Sequence, residues 1–242
     1  MRLDRYLAEC GVGTRAQVKQ LIKKRNIQVN GEICTAPEKQ INEADDRVSY
    51  NGKLLQYKRF HYYMLHKPAG VITATTDKNA VTVMDLLVGV KQKNLSPVGR
   101  LDKDTEGLLL ITDDGMLAHN LLSPAKHVSK TYYADISGIV TEEHVRKFEE
   151  GLDIKDDSPT RPAMLEILAT DTKACCSSVQ ITITEGRYHQ IKRMFQSVGM
   201  EVTYLKRLTM GSLVLDKKLA PGTFRELTLE EINTLKSNSD CL

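Results

Sequence analysis

Gly99-Arg100-Leu101-Asp102-Lys103-Asp104-Thr105-Glu106-Gly107-Leu108-Leu109-Leu110-Ile111-Thr112 is the most informative stretch of the chain. The apolar run at 108–111, bounded by turn residues, predicts a buried strand over 108–112. Asp102 therefore lies in a turn braced by that strand, with Arg100 and Lys103 close by. A neighbouring cation favours the ionised form of a carboxylate. An ionised carboxylate facing an electron-poor sugar carbon is the nucleophile or ion stabiliser of glycosidic chemistry. Turn aspartates commonly do no more than cap, so the case for Asp102 rests on its surroundings. No second carboxylate stands out. Asp104 and Glu106 suit the surface equally well, and Asp113-Asp114-Gly115 reads as a turn. The pattern favours chemistry carried by one carboxylate.

Two further segments bear on a site. Glu185-Gly186-Arg187-Tyr188-His189-Gln190-Ile191-Lys192-Arg193-Met194-Phe195 reads as a strand end, a glycine turn and a helix start rich in cations. Such a start contacts phosphate or is simply a basic surface; Met194 and Phe195 read as core. In Ser129-Lys130-Thr131-Tyr132-Tyr133, the adjacent tyrosines of a strand point to opposite faces, and one of them belongs to the core.

The rest of residues 61–235 predicts an α+β domain around a mixed, mostly antiparallel sheet. Strand-like runs fall at 62–65, 108–112, 131–136, 163–168, 178–184, 202–207, 212–215 and 223–228. Helical runs fall near 81–88, 114–122, 141–150 and 187–198. Lys67-Pro68-Ala69-Gly70 is a turn that braces the floor of a site, and Lys67 is also a candidate phosphate contact. Residues 236–242 read as a loose tail.

Residues 1–58 form a smaller module. Leu3, Leu7 and Cys10 have helical spacing. Thr14-Arg15-Ala16-Gln17 is a capping-box pattern that starts a helix running to about residue 24, with Val18, Leu21 and Ile22 inward and Arg15, Lys19 and Lys23 outward. Asn30-Gly31 predicts a hairpin between 26–29 and 32–34, and Asn51-Gly52 a second turn. Residues 54–60 read as a linker. Residues 1–60 hold 12 Lys and Arg against 7 acids, although the whole chain of 242 residues nets only +3. A basic module beside a near-neutral domain suits a polyanionic partner.

Composition excludes several classes. The five cysteines, with adjacent Cys175-Cys176 and no CxxC, predict free thiols in a reducing compartment. No run approaches 18 apolar residues and the first residues lack an apolar signal core, so a cytoplasmic protein without a membrane partner is expected. The six histidines have no metal-ligand spacing, and neither a GxGxxG nor a P-loop occurs, so no metal and no cofactor is expected.

Taken together, the motifs resemble those of the RsuA-type pseudouridine synthases, preceded by a segment similar to an S4 RNA-binding domain. The S4 likeness rests on Thr14-Arg15-Ala16, the basic helix and Val29-Asn30-Gly31. The resemblance implies that Asp102 is the catalytic carboxylate and that Lys192 pairs with it. It implies that Tyr132 stacks on a flipped uracil and serves proton transfer at C5, and that Ile191 lies under the same base. By the same likeness, Arg100 enters the space left by the extruded nucleotide, offsetting some of the lost stacking. Arg187, His189, Arg193 and Lys67 become RNA contacts in the synthase domain, and Arg15, Lys19 and Lys23 in the S4-like domain. Whether Asp102 adds to C1′ or removes a sugar proton to give a glycal stays open. The likeness is greatest to members acting on the 16S rRNA of the small subunit, free or assembling. Action on 23S rRNA, or a non-catalytic role in RNA binding or ribosome assembly, remains an alternative. Glu106 departs from the small-subunit pattern and would repel phosphate if it faced RNA.

Overall fold

The computed structural model describes residues 1–90, 92 and 94–240. They form two compact units, Met1–Phe60 and His61–Leu242.

In the first unit, α1 (Leu3–Glu9) and α2 (Arg15–Lys23) pack on a four-stranded sheet. Its strands are β1 (Ile27–Val29), β2 (Glu32–Ile33), β3 (Val48–Tyr50) and β4 (Lys53–Leu54), in the order β2-β1-β3-β4. The predicted capping box forms: the Thr14 hydroxyl accepts from the Gln17 amide, and the Gln17 side chain accepts from the Thr14 amide. Val18 and Ile22 are fully buried, whereas Leu21 is half-buried. Arg15, Lys19 and Lys23 are exposed. Asn30 and Gly31 both take positive φ, at 55° and 85°, as a type I′ hairpin turn requires. The expected linker is not free chain. Leu54 lies in β4, Leu55 and Tyr57 pack on the core, and the Tyr57 hydroxyl donates to Glu9 at 2.9 Å. Leu55 and Tyr57 extend the edge of this small core.

The second unit is built on a mixed sheet. Its main strands are β5 (Tyr62–Lys67), β7 (Glu106–Thr112), β8 (Lys130–Ser137), β9 (Met164–Asp171), β10 (Cys176–Ile183), β11 (Glu201–Met210) and β13 (Phe224–Glu226). They run in the order β13-β5-β7-β11-β8-β10-β9, with β6 (Ser96–Pro97) on β7 and β12 (Leu213–Val214) on β11. Every pair is antiparallel except β7–β11, which is parallel. The helices are α3 (Gly115–Leu122), α4 (Glu142–Glu150), α5 (Gln190–Ser197) and α6 (Leu229–Asp240). Alternation along β8 and β10 sends Ala134, Ile136, Val179 and Ile181 to one face, where they meet Phe148 of α4 and Met194 and Phe195 of α5.

Two expectations fail. No helix forms at 81–88: Thr82 bridges to Ile72, and the Asp85 carboxylate accepts from the Thr82 amide and hydroxyl, which makes a turn. The tail expected from 236 is the last part of α6 as far as residue 240; Leu235 is buried, and Lys236 lies over the Tyr62 ring and 3.5 Å from Asp114. Residues 241–242, Cys241 included, lie outside the described residues. Cys10, Cys34, Cys175 and Cys176 are free thiols.

Candidate active site

Asp102 follows Gly99, which turns the chain at φ 74° after β6. Its loop is held from three directions. The Thr73 hydroxyl donates to the Leu101 carbonyl at 2.8 Å and accepts from the Leu101 amide at 3.1 Å. The Gly70 amide donates to the Lys103 carbonyl at 2.8 Å. From below, the Lys67 ammonium donates to the carbonyls of Pro68, Lys103 and Thr105, at 3.0, 3.3 and 2.7 Å.

Lys67 is thus a correction. Its side chain is wholly buried and its donors are spent on backbone, so it does not reach a phosphate. Burial pushes its ammonium down to about 8, against the opposing pull of Asp104, Asp102 and Glu106. Its work is to hold the Asp102 loop.

Opposite this loop stands the start of α5. His189 has φ 48°, a left-handed residue that ends the approach from β10 and aims the first helical turn at Asp102. Gln190 fixes the turn by accepting from the Arg187 amide and donating to Glu185, both at 2.9 Å. His189 Nε2 lies 3.4 Å from one Asp102 oxygen and Lys192 Nζ 3.5 Å from the other. The expected Lys192–Asp102 pair is therefore present but shared: Lys192 donates at 2.7 and 2.8 Å to the two oxygens of Asp104. That hydrogen bond holds the Asp104 carboxyl below the usual carboxylate range. The sequence offered Asp104 as a candidate second carboxylate or equally a surface residue, and His189 as an RNA or structural contact. Their spacing from Lys192 across the loop–helix gap is what joins them. The exposed Tyr188 ring stacks on His189 at 3.8 Å between centroids.

A cavity of about 810 Å³ opens beside Asp102. Tyr132, Ile191, Arg100, Lys192 and His189 line it together with Asp102. Tyr132 and Ile191 present buried apolar surface, 8 % and 4 % exposed. Tyr133 faces the other side of the sheet, where its hydroxyl donates to Asp135 at 2.6 Å, so the two tyrosines divide as strand alternation requires. Glu106 turns to that same far side and accepts from the Tyr204 hydroxyl at 2.8 Å. It does not confront ligand in the cavity. Arg100 is exposed and, among the described residues, has no partner.

Two more expected phosphate contacts are engaged elsewhere. Arg187 donates to the carbonyls of Ser158 and Pro159 at 2.6 and 2.8 Å and to Glu185 at 3.2 Å. Arg193 donates to the Ile154 carbonyl and to both oxygens of Asp156, at 2.6 and 3.2 Å. Together they staple the 154–159 segment to α5. Arg193 grips Asp156 through both of its oxygens, a bidentate pair. Lys130 and Arg207, to which the sequence assigned no role, also line the cavity.

The chain is similar to known proteins along nearly its whole length. A family model described as RNA pseudouridylate synthase matches residues 61–197, and an S4 domain model matches residues 1–48. An RNA pseudouridine synthase of Bacillus subtilis (strain 168), named as uncharacterized, is 44% identical over 97% of this chain and 98% of its own. The ribosomal large subunit pseudouridine synthase B of that organism is 38% identical, covering 99% of this chain and 97% of its own. The ribosomal small subunit pseudouridine synthase A of Haemophilus influenzae is also 38% identical, covering 97% and 99%. A solved structure titled as a pseudouridylate synthase superposes with a TM-score of 0.68 at 37% identity, covering 97% of this chain and 99% of its own.

Proposed function

The chain belongs to the RNA pseudouridylate synthase family and carries an S4 domain ahead of its synthase domain, and from that premise we propose that it isomerises a uridine of 16S rRNA to pseudouridine, in the cytoplasm, with Asp102 as the reacting carboxylate. The observation that carries this reading is the convergence of Asp102, Lys192, Tyr132 and Ile191 on one cavity wide enough for a nucleobase.

Arg15, Lys19 and Lys23, exposed along α2, give the S4 domain a row of cations that neutralises backbone phosphates without reading bases. Arg100, without a partner among the described residues, fills the place of the extruded uridine. The base enters between the Tyr132 ring and Ile191. Asp102, beside the Lys192 ammonium and the His189 ring, meets the ribose as a carboxylate. The N1–C1′ bond breaks, the uracil turns, C5 bonds to C1′, and the C5 proton leaves to a base. N1 gains a proton as C5 loses one, so the reaction is an isomerisation and consumes nothing. Arg187, Arg193 and Lys67 act by holding the walls of the site rather than by touching RNA.

The choice of 16S rRNA rests on resemblance alone: residues 187–195 and 208–211, with Leu219-Ala220-Pro221-Gly222 and Arg225-Glu226-Leu227-Thr228, are similar to the corresponding stretches of small-subunit members of the family. Relatives named for either subunit are equally similar, so mapping makes the test. The purified protein is incubated separately with 16S rRNA, assembling small subunits and 23S rRNA. Pseudouridine is then located by carbodiimide adduct and primer extension. A new stop in 16S rRNA is expected. A stop in 23S rRNA alone contradicts the substrate, and no stop in any of them contradicts the activity.

A further inference from the structure

The wall of the cavity next to Tyr132 carries two buried cations. Lys130 lies two residues before Tyr132 on β8, on the same face, and is 8 % exposed. Arg207 of β11 is the direct cross-strand partner of Tyr132 and is 2 % exposed. Both line the cavity that Asp102 borders.

Neither cation is neutralised. Lys130 Nζ donates to the Val128 carbonyl at 2.7 Å, and Arg207 Nε donates to the Leu108 carbonyl at 2.7 Å. Arg207 Nη2 is buried with no hydrogen-bond partner. Among the described residues no carboxylate pairs with either side chain, and the charge acting on Lys130 is that of Arg207 itself. Burial, and then Arg207, push the Lys130 ammonium down to about 8. A buried like-charged pair with an orphaned donor costs stability and is not a structural solution on its own. It has a purpose if negative charge arrives in the cavity.

The position of the pair decides which negative charge. Ile183, Leu205 and the Tyr132 ring surround it on this wall, whereas the exposed cations Arg100 and Lys103 stand toward solvent. A buried wall that sets Tyr132, Ile183 and Leu205 beside two cations fits a base stacked on Tyr132. A phosphate would remain with the exposed cations. This step rests on the reading of the cavity as the uridine site.

We propose that Arg207 and Lys130 form an oxyanion site for the leaving uracil. When the N1–C1′ bond breaks, its electron pair stays on the base, and the charge spreads from N1 onto the carbonyl oxygens O2 and O4. Asp102 balances the electron-poor ribose, either by bonding to C1′ or by taking the C2′ proton. The orphaned Arg207 Nη2–H and the neighbouring ammonium receive a uracil oxygen as its charge develops. The charge is discharged when C5 has bonded to C1′, the C5 proton has left and N1 has been protonated. Donors fixed before the reaction favour the charged state over the neutral base.

The test uses the full chain and an RNA that the wild type modifies. Single-turnover cleavage, RNA affinity and its salt dependence are measured for Arg207→Met and Lys130→Gln, with thermal melting as the check of folding. Cleavage should slow by about 10²–10³-fold in Arg207→Met, with affinity within about twofold and an unchanged salt slope. The same RNA carrying 5-fluorouridine, whose fluorine stabilises the uracil anion unaided, should lose about tenfold less. If Arg207→Met does not fold, Lys130→Gln carries the test, because its amide can still donate to Val128. Weakened affinity with a salt slope shallower by about one would mean a phosphate contact and would overturn the proposal. So would an undiminished rate, or an equal loss with uridine and 5-fluorouridine. A wild type that modifies no RNA would instead overturn the underlying function.

Discussion

Replacing Lys67 by Met removes the post beneath the Asp102 loop, and the structure sets the size of the effect. Three carbonyls lose a donor, but that of Lys103 keeps the Gly70 amide. The carbonyls of Pro68 and Thr105 are left unpaired, which costs roughly 1–3 kcal/mol each. Against this, the variant escapes the burial of an ammonium. Lowering its pKa from 10.5 to about 8 corresponds to about 3 kcal/mol. At pH 7 the two effects largely offset each other, and Lys67→Met should lie within about 3 kcal/mol of wild type. The pH dependence is sharper. Between about pH 8 and 10.5 the unfolded chain holds the Lys67 proton more tightly than the folded one, so wild-type stability rises with pH through this window. Lys67→Met lacks that gain. Its deficit should therefore grow by about 2 kcal/mol between pH 7 and 9.5, measured by urea unfolding with the variant and wild type side by side. The cleavage rate should fall as the loop loosens. A deficit that shrinks with rising pH would mean that the buried charge itself stabilises the fold, and would refute the reasoning.

The other expectations concern separate parts of the molecule. Gly107→Ala would put a Cβ 2.2 Å from the Arg207 carbonyl oxygen, in a residue whose φ is 106°; thermal unfolding should show a loss of about 3 kcal/mol or more, and near-normal stability would contradict the tight β7–β11 pairing. The triple variant Arg15→Ala, Lys19→Ala, Lys23→Ala should weaken RNA binding and reduce the salt slope by about two to three, while the cleavage rate at saturating RNA stays within about twofold; an unchanged slope would remove α2 from the RNA-binding face. Arg100→Ala should slow modification of a paired target by about tenfold or more and of an unpaired target much less, since unstacking and unpairing cost a few kcal/mol; equal losses on both would remove Arg100 from base extrusion.

The local features of this fold are written in short stretches of sequence. The capping box at Thr14, the turns at Asn30-Gly31 and Asn51-Gly52, and the apolar strand behind Asp102 each depend on residues within a few positions of one another. Strand alternation alone separates Tyr132 from Tyr133, whereas the choice of Tyr132 for the site came from the family resemblance. What escaped depends on partners far apart in the chain. Lys67 meets carbonyls up to 38 residues away, and Arg187 meets those of Ser158 and Pro159 nearly 30 residues back. Read locally, each is a free cation; in the fold each is a strut. Asp104 looked like a surface residue because Lys192, its partner, lies 88 positions on. The run at 81–88 misled for a different reason: a side-chain carboxylate at Asp85 captured the Thr82 amide and closed a turn where apolar spacing suggested a helix. In α6, the buried Leu235 anchors the helix just ahead of residues 236–240, which the sequence presents as a tail.

Asp102→Asn gives the most direct measurement. The change keeps size and shape and removes the carboxylate. Tritium release from RNA carrying 5-tritiated uridine, followed in a single turnover, should fall by at least ~10⁴-fold, while RNA affinity stays within about twofold of wild type. Release at the wild-type rate would contradict a reaction carried by this side chain.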